Sequence, residues 1–129
     1  VLTEGEEEDP VAEEVRSLLD GHIILSRSLG ARGHFPAIDI SRSQSRLFRK
    51  LNGPAQIAAA EAVRAMLAKL DDIEMLLQMG EYQRGQDALA DAALDQREAI
   101  ETFLRQRPDE ASDAATTLAR LRAIGETIL

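Results

Sequence analysis

A chain of 129 residues is long enough for one domain, or one domain and the edge of another, with roughly two thirds of its unfolded surface buried. Its net charge of -8 and pI near 4.7 argue against a nucleic-acid partner, because phosphate binding rests on Lys and Arg. The lack of cysteine removes disulfides and thiolate metal sites, and His22 and His34 alone do not make a zinc site, so no metal is expected. Aromatic residues are scarce while alanine and leucine dominate, which predicts a mostly α chain. There is no charged-then-apolar leader and no run of about 18 apolar residues, so the expectation is a soluble excerpt of a longer polypeptide.

In chain order, VLTEGEEEDP reads as a strand end followed by an exposed acidic loop. Asp9 is a good N-cap and Pro10 suits a first helical turn, so a short helix is predicted with Val11, Val15, Leu18 and Leu19 on one stripe and Gly21 ending it. Ile23, Ile24 and Leu25 form a β-prone run suited to a buried strand. Residues 29–33 are rich in turn formers, and residues 35–40 make a second short strand, placed at a sheet edge because Pro36 cannot donate to a ladder.

Gly53 and Pro54 mark a change of character, and a domain boundary is expected within residues 47–53. From 55 to 79, Ile57, Ala60, Val63, Leu67, Leu70, Ile73 and Leu77 recur at helical spacing and predict a long amphipathic helix. Gly80 and Gly85 bracket a polar connection, EYQR. A second helix over residues 87–105 carries Leu89, Ala93, Ile100, Phe103 and Leu104 and stops before Pro108. A third, from Ser112 as N-cap, turns Leu118, Leu121 and Ile124 to the same core.

Little in this pattern speaks of self-contained catalysis. None of the eight glycines precedes a lysine, so the phosphate-binding G-x-x-x-x-G-K-[ST] loop is missing and nucleotide hydrolysis by this chain alone is not expected. The acidic run at residues 4–9 reads as a solvated loop, and Asp20-Gly21-His22 as a turn with a structural histidine.

The segments LLDGHIILSR, GHFPAID, QSR at 44–46 and GEYQRG resemble the ATPases that energise bacterial type III secretion and flagellar export, relatives of the rotary ATP synthase catalytic subunits. The resemblance covers nearly the whole chain and is weaker after Leu47. It implies that residues 1–52 are the C-terminal edge of a RecA-like nucleotide-binding domain and residues 53–129 a helical C-terminal domain of about three helices. It further implies a parent homohexamer using ATP and Mg2+, with no cofactor expected for the chain alone. Arg46 would be the arginine finger reaching a neighbouring protomer's γ-phosphate, with Arg42 and Arg49 as close competitors.

Phe35 falls where these ATPases carry an adenine-stacking tyrosine, and Phe103 resembles a second adenine-pocket aromatic; by the residues alone both also fit a core. Glu81, Tyr82, Gln83 and Arg84 lie where rotary relatives touch a central stalk, and an ordinary helix connection is the plain alternative. The implied partners are the protomer itself, the stalk protein and secretion chaperone-effector complexes, at the cytoplasmic face of the bacterial inner membrane and peripheral to it through the export apparatus. Two other readings remain: a free-standing helical adaptor with an acidic surface, and a fragment of a rotary synthase subunit, to which GHFPAID and GEYQRG are less close.

Overall fold

Leu2, Thr3 and residues 10–129 are described from a computed structural model. The acidic run at residues 4–9, with Asp9 as N-cap, lies outside the described residues. Strand β1 (Leu2–Thr3) is followed by helix α1 (Pro10–Leu18), strand β2 (Gly21–Leu25), helix α2 (Arg27–Ala31) and strand β3 (Ile38–Ser45). Beyond them come a short helix α3 (Phe48–Leu51) and three longer ones, α4 (Pro54–Met79), α5 (Ala88–Leu104) and α6 (Ala114–Gly125). The chain is mostly α, with a three-helix bundle after a small α/β segment, as its composition and periodicity predict.

Several local expectations need correction. Gly21 opens β2 instead of closing α1, where it pairs with Ser45; a methyl group there would stand 2.7 Å from the Gln44 carbonyl oxygen. The turn expected over residues 29–33 overlaps α2, which forms because the Ser26 hydroxyl accepts the Leu29 N–H. The second strand begins at Ile38, beyond the cis Phe35-Pro36 bond, so the proline stands ahead of the ladder. The N-cap of α6 is Asp113, whose carboxylate accepts the Thr116 N–H at 2.9 Å, while the Ser112 hydroxyl pairs with Thr117 Oγ1.

The sheet order is β1-β2-β3, with β1 parallel and β3 antiparallel to β2. The β2–β3 ladder is broken: Ile24 opposes Asp39 and His22 opposes Gln44, so residues 40–43 bulge. Side chains close the gap. Ser43 Oγ accepts the N–H of buried Ile24 at 3.0 Å and donates to the Asp39 carbonyl at 2.5 Å. Asp39 Oδ1 accepts from the Ser41 hydroxyl at 2.6 Å and the Arg42 N–H at 3.1 Å. Polar residues thus supply the bonds that a regular ladder would have made.

The core lies in the bundle, where Val63, Met66, Ala93, Ile100 and Ile124 are buried and Leu67, Leu70, Leu89, Phe103, Leu104 and Leu121 pack against them. Small residues permit close helix contact, and a Cβ on Gly125 would stand only 2.8 Å from Ala59 Cα. The apolar stripe of α1 has no such cover within the described residues: Val11, Val15, Leu18 and Leu19 are all exposed.

Replacing Ser43 with alanine strands a buried backbone donor, so Ser43→Ala is expected to lower stability by about 1–3 kcal/mol in urea unfolding. Ser41→Ala, which removes only an exposed bond to Asp39, should stay within about 0.5 kcal/mol of the parent. Equal effects would show that the bulge is not held by Ser43.

Candidate functional site

The ladder resumes at Gln44 and Ser45 and delivers Arg46 at the end of β3. Its N–H donates to the Asp20 carbonyl at 2.7 Å, which fixes the backbone. Its side chain is exposed, and Nη2 makes one long contact, 3.4 Å, to the Ser17 carbonyl near the end of α1. The two competing arginines are placed differently. Arg49 is ion-paired to Glu61 on α4, and the Arg42 carbonyl meets His22 Nε2 at 3.2 Å within the bulge.

The aromatic candidates share a neighbourhood of backbone but have different ring environments. The Phe35 carbonyl accepts the Gln106 N–H at 3.0 Å, three residues beyond Phe103, so the two segments meet. The Phe35 ring is 58% exposed and lies over Gly30. The Phe103 ring is half-buried against the bundle core, with the Arg120 guanidinium carbon 5.7 Å from its centroid.

Between the two parts of the chain lies a cleft of about 310 Å³, floored by Leu67, Leu70, Ile100 and Leu104. At its rim Arg105 Nε donates to His34 Nδ1 at 3.4 Å. Partial burial, followed by the positive charge of Arg105, holds the imidazole below its usual value and favours the neutral ring. Burial and then the like charge of Glu74 push the Asp71 carboxyl up. Among the described residues no group of three or more His, Asp or Glu side chains forms a metal site.

The connection between α4 and α5 is tightly held. Gly80, at φ 70°, ends α4 in the left-handed conformation, and the N–H groups of Glu81 and Tyr82 turn back onto the Leu76 carbonyl. Tyr82 Oη donates to Asp91 at 2.9 Å, the Gly85 N–H to the same carboxylate at 2.7 Å, and Arg84 to Asp95 at 2.8 Å. Asp87 caps α5 and meets Lys69 at 3.0 Å; its bond from the Ala90 N–H and then the Lys69 ammonium hold its carboxyl below the usual range. Of the four tip residues Glu81, Gln83 and Arg84 are exposed, and Tyr82 and Arg84 are tied to α5. The clasp residues Asp91 and Asp95 escape a reading by hydrophobic pattern, and their i,i+4 spacing facing a Tyr and an Arg is the signal they offer.

A strand end presenting an arginine is thus followed by a short helix and a helical bundle with a clasped hairpin. Residues 53–123 match the family model for the T3SS EscN ATPase C-terminal domain, and residues 1–45 match that for the ATP synthase alpha/beta family, nucleotide-binding domain. The chain belongs to the T3SS EscN ATPase C-terminal domain family. A type 3 secretion system ATPase of Pseudomonas syringae pv. syringae is 51% identical over 113 residues, covering 88% of this chain and 25% of that protein. The assembled ATPase EscN of enteropathogenic E. coli superposes with a TM-score of 0.91 at 38% identity, covering 97% of this chain and 31% of EscN. EscN in complex with its central stalk EscO gives 0.87 at 38% identity, with 91% and 29% covered. The chain spans about a quarter of the length of the curated relatives it matches.

Two titrations test these placements. Tyr82 is the sole tyrosine and there is no tryptophan, so the alkaline phenol titration reports on the hairpin alone. Burial and the bond to Asp91 raise its midpoint above the ordinary value of about 10, and Asp91→Asn should lower it. His34 should titrate below about 6.5 by NMR. Because its folded pKa is the lower one, the stability it contributes is present above about 6.5 and is lost as pH falls from there towards the folded value. Arg105→Gln should move the midpoint back up; an unchanged midpoint would remove the Arg105 contact.

Proposed function

We propose that this chain is the C-terminal part of an ATPase that drives type III protein secretion, divided into the edge of the nucleotide-binding domain at residues 1–52 and a helical domain at 53–129. The two family matches and the Gly53-Pro54 step support that division. The parent assembles as a homohexamer, binds ATP with Mg2+ in a pocket built largely by residues outside this chain, and works at the cytoplasmic face of the inner membrane.

One observation carries the reading. Arg46 leaves a pinned strand end with its backbone fixed and its guanidinium exposed, held by a single long contact. An arginine finger must have that arrangement, because it acts on a nucleotide held by the adjacent protomer and must not be consumed by a partner of its own. Its planar fork can bridge two phosphate oxygens as charge spreads in the transition state. Phe35, exposed and on the same α/β segment, offers a π-face for the adenine, and Phe103, half-buried against the bundle core, would contribute from the helical side. The hairpin residues Glu81, Tyr82, Gln83 and Arg84 face the central stalk, and the helical domain receives chaperone-effector complexes.

In the full-length ring, Arg46→Ala is expected to reduce kcat by about 10³–10⁵ with little change in KM for ATP and the hexamer retained. Arg46→Lys should recover little, because an ammonium is a point charge without the fork. Hydrolysis at the parental rate in Arg46→Ala would point instead to a helical adaptor without nucleotide chemistry.

A further inference from the structure

Arg46 leaves β3 just after the ladder has been broken and rejoined. Between the pairs Ile24–Asp39 and His22–Gln44, Ile23 stands opposite the whole of residues 40–43, a mismatch that regular backbone pairing does not span. Side chains alternate across a strand with a period of two, so a slip of one residue inside this bulge would turn Arg46 to the opposite face. The guanidinium cannot correct such a slip, since its one long contact, 3.4 Å to the Ser17 carbonyl, is a weak guide. The direction of the side chain is inherited from the strand.

Side chains from three elements hold the bulge. His22 Nε2 on β2 meets the Arg42 carbonyl at 3.2 Å, Asp39 Oδ1 on β3 accepts the Arg42 N–H at 3.1 Å, and Arg64 Nη1 on α4 donates to the Ile40 carbonyl at 2.8 Å. Ser43 is placed differently, because its hydroxyl bonds to both strands at once. It accepts the Ile24 N–H at 3.0 Å from β2 and donates to the Asp39 carbonyl at 2.5 Å on β3. It also directly precedes Gln44, where pairing resumes, so it fixes the point from which the alternation restarts. A hydroxyl suits that point because one atom both accepts and donates; a carboxylate only accepts, an ammonium only donates and a methyl group does neither. Ile24 is buried, so water is a poor replacement.

We propose that Ser43 is a positioning residue for hydrolysis: by locking the bulge it sets the strand register that aims Arg46 at the adjacent protomer's nucleotide. The inference rests on the reading of Arg46 as the finger and adds the group that makes its direction the same in every protomer of the ring. Ser43 acts through Arg46, so its effect on rate must vanish once that guanidinium is gone.

The test is a double-mutant cycle in the full-length ring, assayed where each variant is folded and hexameric. Ser43→Ala should lower kcat about tenfold to a hundredfold, as a displacement of about 1 Å at a reacting group does, with KM for ATP within about twofold of the parent. Ser43→Thr keeps the hydroxyl and should restore most of kcat. Added to Arg46→Ala, Ser43→Ala should cost no more than about twofold. An equal loss in both backgrounds would make Ser43 a structural residue only and overturn the inference. Parental kcat in Ser43→Ala beside a slow Arg46→Ala would also overturn it while leaving the finger standing, whereas parental kcat in Arg46→Ala would overturn both. Asp113→Ala, which removes the cap of α6 far from the bulge, should cost stability and leave kcat unchanged; a loss matching that of Ser43→Ala would trace both to stability and overturn the inference. If Ser43→Ala does not assemble, Gly21→Ala presses on the Gln44 carbonyl from β2 and displaces the same junction. It should then show the kcat loss in the parent but not in Arg46→Ala, and parental kcat would overturn the inference.

Discussion

The Ser43 hydroxyl, lodged between the Ile24 N–H and the Asp39 carbonyl, is the contact on which the α/β segment depends. Residues 40–43 leave the ladder between two paired stretches, and the N–H of buried Ile24 would otherwise go unmet at that break. Because Ser43 bridges it, the chain re-enters the ladder in register at Gln44 and Ser45. The direction of Arg46 is therefore set by β2 as much as by β3. Gly21 completes the constraint: it lies opposite Ser45, where any Cβ would strike the Gln44 carbonyl. A serine, a glycine and the Asp20 carbonyl thus aim one arginine outward.

The bulge also joins the two parts of the chain. β3 is an edge strand among the described residues, and its Ile40 carbonyl accepts from Arg64 on α4 at 2.8 Å. The Arg49–Glu61 pair lies along the same seam, and at the other end Gln106 donates to the Phe35 carbonyl. These are polar ties, individually worth about 1 kcal/mol or less. The main apolar cluster among the described residues is built by α4, α5 and α6. The seam between them is accordingly the softer part of the molecule, with the cleft open beside it.

Much of the bundle was legible in the sequence because a single effect, burial of a stripe at helical spacing, decides it. The period over residues 55–79 locates α4, and the glycines locate its end at Gly80. The same logic finds the stripe of α1 but cannot say what covers it, since pattern reports apolarity and not the partner. The sequence pattern misplaces β3 for a different reason. ISRSQS has no alternation of apolar residues, and its strand geometry rests on side chains bonding to backbone across the bulge, an interaction without period. The cap of α6 turned on one residue, as two adjacent side chains both suit an N-cap and only geometry chooses Asp113. At the hairpin the tip was visible from GEYQRG, while its clasp required knowing that Asp91 and Asp95 face back across the turn.

The strand that carries Arg46 and the clasped hairpin meet α4 at opposite ends. Arg64, which holds the strand, lies in the first half of this 26-residue helix, and Met75 and Met79 lie in its final turns, about 17–22 Å further along at 1.5 Å per residue. The helix is unbroken between them. Past Pro54 it contains no glycine or proline until Gly80 caps it, and Met66 and Ile73 seat it in the core along the way. A rod of that kind resists bending, so it fixes the distance between the hairpin and the seam. The ties at its near end, Arg64–Ile40 and Arg49–Glu61, are polar and exposed, and they connect α4 to the strand that aims Arg46 and the short helix after it.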